Sequence, residues 1–139
     1  MLKNKFGALL VSALAINALS SYAAFGQTTE QITEDNCKQC AEVCTTTLDY
    51  CTKKGGHYAD ATVTNALKDC ISACKSTHDF VSRGSKLQSR LAALCVAACN
   101  ACAKSCESFK TDVTLRACAD ECRKCGGNCN KIASSGNGQ

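Results

Sequence analysis

From Cys95 onward, the positions that should be apolar recur at alternating steps of four and three residues. Cys95, Cys99, Cys102 and Cys106 form one run, and Cys118, Cys122, Cys125 and Cys129 form another after a gap of twelve. Residues three and four apart share one face of a helix, with Cβ atoms about 5–6 Å from each other. Each quartet is therefore a stripe along one helix, at the positions where a helical bundle ordinarily carries Leu and Ile. The same period continues upstream in Cys37, Cys40, Cys44, Thr47 and Cys51, and again in Val63, Leu67, Cys70, Cys74, Thr77 and Val81. Leu115 and Ile132 extend the last stripe at either end. Four helices follow, each presenting sulfur where hydrocarbon is expected.

The connections fit this division. Thr28 with Gln31, or Thr33 with Asn36, offers an N-cap for the first helix, and Glu30, Glu34 and Asp35 suit its positive end. Lys53-Lys54-Gly55-Gly56 closes it. The second helix starts near Asp60 or Thr62 and stops at Gly84, where Ser85 to Gln88 reads as a capping box opening the third. Leu87, Leu91 and Leu94 are expected to flank the thiols there. The third helix runs to about Lys110, and Thr111 or Asp112 caps the fourth. Gly126 and Gly127 each cost about 1 kcal/mol against Ala, so fraying is expected in the last turn. No hairpin dipeptide separates alternating apolar runs. Short connections between amphipathic segments make the fold class all-α, an antiparallel up-down-up-down four-helix bundle with a cysteine-lined core, spanning residues 27–132. Residues 133–139 are small and polar and read as a disordered tail.

Residues 1–26 are a separate matter. Lys3 and Lys5 precede an Ala- and Leu-rich run from Phe6 to Leu19, and Ser21-Tyr22-Ala23 supplies the small residues of a cleavage site, which predicts a secretory signal peptide. The apolar run is too short for a membrane span and contains Asn17, so no stable membrane association is expected. The predicted destination is the periplasm or the exterior. Without the leader, 14 basic residues face 12 acidic ones, scattered rather than clustered, which points away from nucleic acid. The remaining domain has no Pro, no Trp and few large apolar side chains, yet keeps all fourteen cysteines. Something besides Leu and Phe must hold it together.

An exported chain with an even number of cysteines is commonly a disulfide-stapled scaffold, and a helical scaffold of that kind, without metal, is the alternative reading here. Spacing opposes it within a helix, because a disulfide needs Cβ atoms about 3.5–4.5 Å apart. Pairing between helices stays open. The CxxxCxxC steps at Cys95 and Cys118 also match iron–sulfur spacing, but any seam of cysteines generates that pattern, and a cluster needs ligands converging on a compact core. Zinc prefers turn-like CxxC knuckles or Cys and His mixtures, and His57 and His78 lie outside the seams. Cu(I) suits the pattern best. A soft monovalent ion prefers thiolate and is content with two ligands, so each of Cys40/Cys44, Cys70/Cys74, Cys95/Cys99, Cys102/Cys106, Cys118/Cys122 and Cys125/Cys129 is a complete candidate site. Cys37 and Cys51 are left to bridge across helices. Each thiolate cancels one Cu⁺, so multiple ions can fill the core without leaving net charge buried.

The run Cys95-Val-Ala-Ala-Cys99-Asn-Ala-Cys102-Ala-Lys-Ser-Cys106, with its counterpart from Ala117 to Lys131, resembles the copper storage proteins. Cys37 to Cys51 and Cys70/Cys74 extend the likeness over nearly the whole mature chain. The resemblance implies Cu(I) storage without catalysis, thiol ligands from all four helices, copper exchanged with a donor or acceptor, and often a homotetramer. A leader places the chain with the exported branch, although it lacks the twin arginines expected there. Relatives also carry Met and His at the open end of the bundle, and here the mature chain has no Met. His57, close to the end with Cys51 and Cys106, is the candidate uptake ligand. Phe80, Val81, Leu87 and Ile132 are expected to plug the opposite end.

Overall fold

The computed structural model describes residues 26–136. The expected leader, apart from Gly26, and the last three residues of the expected tail lie outside them. Four helices follow one another: α1 (Thr29–Lys54), α2 (Ala61–Ser82), α3 (Gln88–Glu107) and α4 (Val113–Ser135), with a single 3₁₀ turn (Gly56–Ala59) between the first two. Each helix packs on its chain neighbours, and α1 against α4 closes the ring. This is the all-α bundle that the seams predict. Among the described residues no helix is long and apolar enough to cross a membrane.

Local chemistry sets the ends. Thr28 and Gln31 make the capping box of α1, with each side chain bonded to the other's backbone N–H, so the helix starts about two turns before the first cysteine of its seam. Gly55 ends it at φ 70°, donating its N–H to the Cys51 carbonyl. Gly84 ends α2 at φ 61°, with Gly84 N–H on Val81 O and Ser85 N–H on Phe80 O, the paired bonds of a Schellman turn. Asp112 caps α4 by accepting the Thr114 and Leu115 N–H groups on Oδ1.

Four expectations need correcting. Ser85 forms no capping box: its hydroxyl accepts only the Leu87 N–H, and α3 begins at Gln88 without a side-chain cap. The third helix ends at Glu107 rather than near Lys110. Leu87 and Leu94 point outward, 46% and 57% exposed, because the α3 seam continues upstream through Ala92 and turns them away. Leu87 is thus no part of a plug. Val81 and Ile132 are buried at that end together with Thr33, Thr77 and Ala92, while Phe80 is half-buried beneath the Arg83 guanidinium. Finally, α4 does not give way at Ala133; it stays helical to Ser135, whose hydroxyl bonds the Ile132 carbonyl. Gly126 lies inside this helix where α4 meets α3, and a Cβ there would sit 3.4 Å from Cys99 Cβ.

All fourteen cysteines are completely buried and line the axis. Three threonines share the seams. Thr33 and Thr47 donate to carbonyls one turn back on α1, and Thr77 reaches across to Leu91 O on α3, so all three hydroxyls are paired.

Candidate metal centre

Helical register turns the sulfurs inward, and the ring of helices then brings stripes from different helices into contact. At the end where α1 starts, Cys37 Sγ lies 3.5 Å from Cys129 Sγ and 3.9 Å from Cys125 Sγ. The next level joins Cys74 to Cys95 at 3.5 Å and to Cys125 at 3.8 Å across the axis. Further along, Cys70 lies 3.7 Å from Cys99, 3.8 Å from Cys122 and 3.9 Å from Cys40. Cys44 then meets Cys122 at 3.6 Å, Cys118 at 3.8 Å and Cys102 at 4.0 Å. From Cys37 to Cys51 the α1 backbone rises roughly 21 Å, so the sulfurs form a continuous column rather than one compact site.

Five groups of four sulfurs have every Sγ within 4.8 Å of the others: Cys37/Cys95/Cys125/Cys129, Cys74/Cys95/Cys99/Cys125, Cys40/Cys70/Cys74/Cys99, Cys40/Cys44/Cys70/Cys122 and Cys44/Cys102/Cys118/Cys122. Adjacent groups share members, and Cys51 and Cys106 belong to none of them. This revises the picture of sites along single helices. Among the pairs within 4.0 Å, Cys70/Cys74 at 4.0 Å and Cys95/Cys99 at 3.8 Å are the ones on one helix. Cys40/Cys44, Cys118/Cys122 and Cys125/Cys129 share a group but are joined through sulfurs of other helices.

The cysteines are free thiols. Their closest approach of 3.5 Å is far beyond the S–S bond of about 2.05 Å. It does match a shared ion. With a metal–thiolate bond of about 2.3 Å, sulfurs around one ion sit about 3.8 Å apart in a tetrahedron, 4.0 Å in a triangle and 4.6 Å in a line. The thiols also bias one another's ionisation. Hydrogen bonds from Cys125 and Cys129 bring Cys37 down to about 6, whereas the bonds that Cys44 makes to Cys102 and Cys118 push it up. Burial pushes Cys51 up. Such a column cannot ionise throughout unless cations enter it.

The chain matches the family described as copper storage protein over residues 26–134. It belongs to the copper storage protein family. Among solved structures, the Nmul_A1745 protein from Nitrosospira multiformis is similar at 28% identity and a TM-score of 0.72, over 77% of this chain and 96% of that one. The Cu(I)-bound copper storage protein BsCsp3 shares the fold at a TM-score of 0.70 and 21% identity, over 76% of this chain and 99% of that one. No curated protein matches the chain. Copper storage, the function expected from the thiol stripes, is the function of the family, and the buried thiol groups provide room for multiple ions.

The two ends of this copper storage protein differ. At the start of α1 the outermost core layer is Thr33, Thr77, Val81 and Ile132, with no sulfur. At the other end Cys51 and Cys106 are the outermost thiols of α1 and α3, while Val63, Leu67 and Leu115 end the seams of α2 and α4, and Phe109 continues the α3 seam past Cys106 at 8% exposure. His57 stacks on Phe109 with ring centroids 5.0 Å apart, and Tyr58 packs on the same ring at 4.6 Å. His57 Nδ1 bonds Asp60 Oδ2 at 2.6 Å. His78 lies far from this end, half-buried, with Nδ1 on the Glu34 carbonyl.

Beside the stack sits a cluster the seams gave no sign of. Asp112 Oδ2 accepts from Tyr50 at 2.6 Å, Lys54 at 3.0 Å and Tyr58 at 3.2 Å. Lys54 Nζ also donates to Tyr50 Oη and lies 4.1 Å from the Tyr58 ring centre. The Tyr50 hydroxyl, with the Leu115 N–H and Lys54, holds the Asp112 carboxyl below the usual carboxylate range. Asp112 reads from sequence as a helix cap and nothing more; Oδ1 does that work, and Oδ2 is free for the tyrosines only because the bundle brings Tyr50 and Tyr58 to it.

Proposed function

We propose that the protein stores Cu(I) as thiolate complexes along its axis, with Cys37, Cys40, Cys44, Cys51, Cys70, Cys74, Cys95, Cys99, Cys102, Cys106, Cys118, Cys122, Cys125 and Cys129 as ligands. The observation that carries this is the chain of overlapping four-sulfur groups drawn from all four helices. Overlap means that an ion bound at one level has a ligand in common with the next, so ions can move inward by exchanging one thiolate at a time. One Cu⁺ per thiolate keeps the core electrically neutral, which a divalent ion at the same loading would not. The role is storage, not catalysis.

Copper is taken up at the end bearing Cys51, Cys106 and His57, because there the seams of α1 and α3 carry thiols to within three residues of their helix ends. The hydrogen bond from His57 Nδ1 to Asp60 leaves Nε2 as the ligand atom, the arrangement that metal-binding histidines commonly adopt. The protein is exported to the periplasm or beyond by its leader, exchanges copper with a donor or acceptor there, and assembles as a homotetramer. Titration of the reduced protein with Cu(I) against a strong competing chelator tests the central point. Saturation near the number of cysteines is expected; saturation at one or two ions would defeat it. Thiol counting without reductant separates the stapled scaffold, which would leave almost none free. Sizing chromatography checks the tetramer.

A further inference from the structure

Copper entering at the end with Cys51 and His57 meets a physical obstacle. Phe109, three residues beyond Cys106 on the same seam and bonded through its N–H to the Cys106 carbonyl, is almost completely buried, and His57 and Tyr58 lie against its ring. An ion held at His57 Nε2 cannot reach Cys51 or Cys106 while that stack is closed. The covering segment is the short turn Gly56–Ala59, none of whose residues is buried. It is entered through Gly55 and Gly56 at φ 70° and 53°, conformations that glycine adopts without strain. Few interactions oppose its opening. The strongest are those of Tyr58, whose hydroxyl bonds Asp112 and whose ring carries the Lys54 ammonium.

We propose that the turn 56–59 and Phe109 form a lid over the thiol column, and that Asp112 latches it through Tyr58 and Lys54. Asp112 is then a positioning residue. It sets how fast copper passes without changing how much is held. The division of labour at this side chain is what makes the idea testable, because Oδ1 caps α4 while Oδ2 holds the latch. Asp112→Asn keeps an oxygen for the cap but places an NH₂ group against Lys54, which can only donate. Tyr58→Phe removes one latch bond and leaves both the cap and the ring stack.

The inference rests on uptake at this end, and its test separates the two. Reduced full-length protein is mixed with Cu(I) held by a weak coloured chelator, and both the rate of transfer and the final stoichiometry are recorded. Asp112→Asn and Tyr58→Phe should each load about fivefold faster, the factor for removing one ordinary hydrogen bond from the closed state, with the wild-type stoichiometry. Val81→Ala, at the far end, should load at the wild-type rate. Hydrogen exchange at residues 56–59 of the copper-free protein should rise in the two latch variants. Wild-type rates in both latch variants, at full stoichiometry, would overturn the lid and leave storage standing. Faster loading in Val81→Ala alone would overturn the lid and move uptake to the far end. A wild-type stoichiometry of one or two ions would overturn both readings.

Discussion

Cys122 is among the ligands whose loss should cost the most copper. Its sulfur lies 3.6 Å from Cys44, 3.8 Å from Cys70 and 3.9 Å from Cys40, and it is common to two of the four-sulfur groups. Cys51 is equally buried but belongs to no group. Where ions and thiolates are equal in number and each ion is held by two sulfurs, each thiolate bridges two ions. Cys122→Ala therefore removes a bond from two ions whose other ligands already serve neighbours, and about two ions should be lost. Cys51→Ala should cost about one at most. Both variants should fold. Removing three carbons in Leu→Ala costs about 2.7–5 kcal/mol, so one sulfur, about a third of that atom count, should cost about 1–2 kcal/mol against a typical stability of about 5–15 kcal/mol. The assay is the competitive Cu(I) titration, run beside urea denaturation of the copper-free proteins to show that both are folded. Equal losses of copper in the two variants would refute the shared-ligand reasoning, and so would a greater loss in Cys51→Ala.

Three further outcomes follow from the geometry. Gly127→Ala should raise the melting temperature of the copper-free protein, by the equivalent of about 1 kcal/mol, because nothing lies within 4 Å of the new methyl. Gly126→Ala should gain less, since its Cβ meets Cys99 at 3.4 Å; calorimetry of the pair decides it. Asp112 has its carboxyl pKa lowered by folding, so its contribution to stability is present above the unfolded carboxylate value of about 3.9 and is lost as pH falls through the folded value. Asp112→Asn should flatten that acid limb of the stability profile measured by denaturation. Copper loading should release protons as thiols become thiolates and should raise the melting temperature; a strong Cu(I) chelator should reverse both, read by pH-stat titration and circular dichroism.

Much of this architecture is legible in the sequence. Alternating steps of three and four can place Cys95 to Cys106 on one helix face and nowhere else, so fourteen buried thiols in an all-α bundle followed from periodicity. Caps were less secure. Thr28 and Gln31 closed their box as the residues suggest, but Ser85 and Gln88 did not, because the Schellman turn at Gly84 commits the chain to a path in which the Ser85 hydroxyl meets Leu87 N–H instead. Leu87 and Leu94 looked like packing residues, and the phase of the α3 seam, set by Ala92, turns them to solvent.

The sequence alone determined which residues face the axis, since that depends on local helical geometry. Which sulfurs meet depends on the ring order and relative height of four helices, quantities no single helix encodes. That is why the close thiol pairs run mostly between helices and the sites overlap. The same holds at the outer end: Tyr50, Tyr58 and Lys54 lie 54–62 residues from Asp112, and only the closure of α1 and the turn after it on the start of α4 makes them its partners.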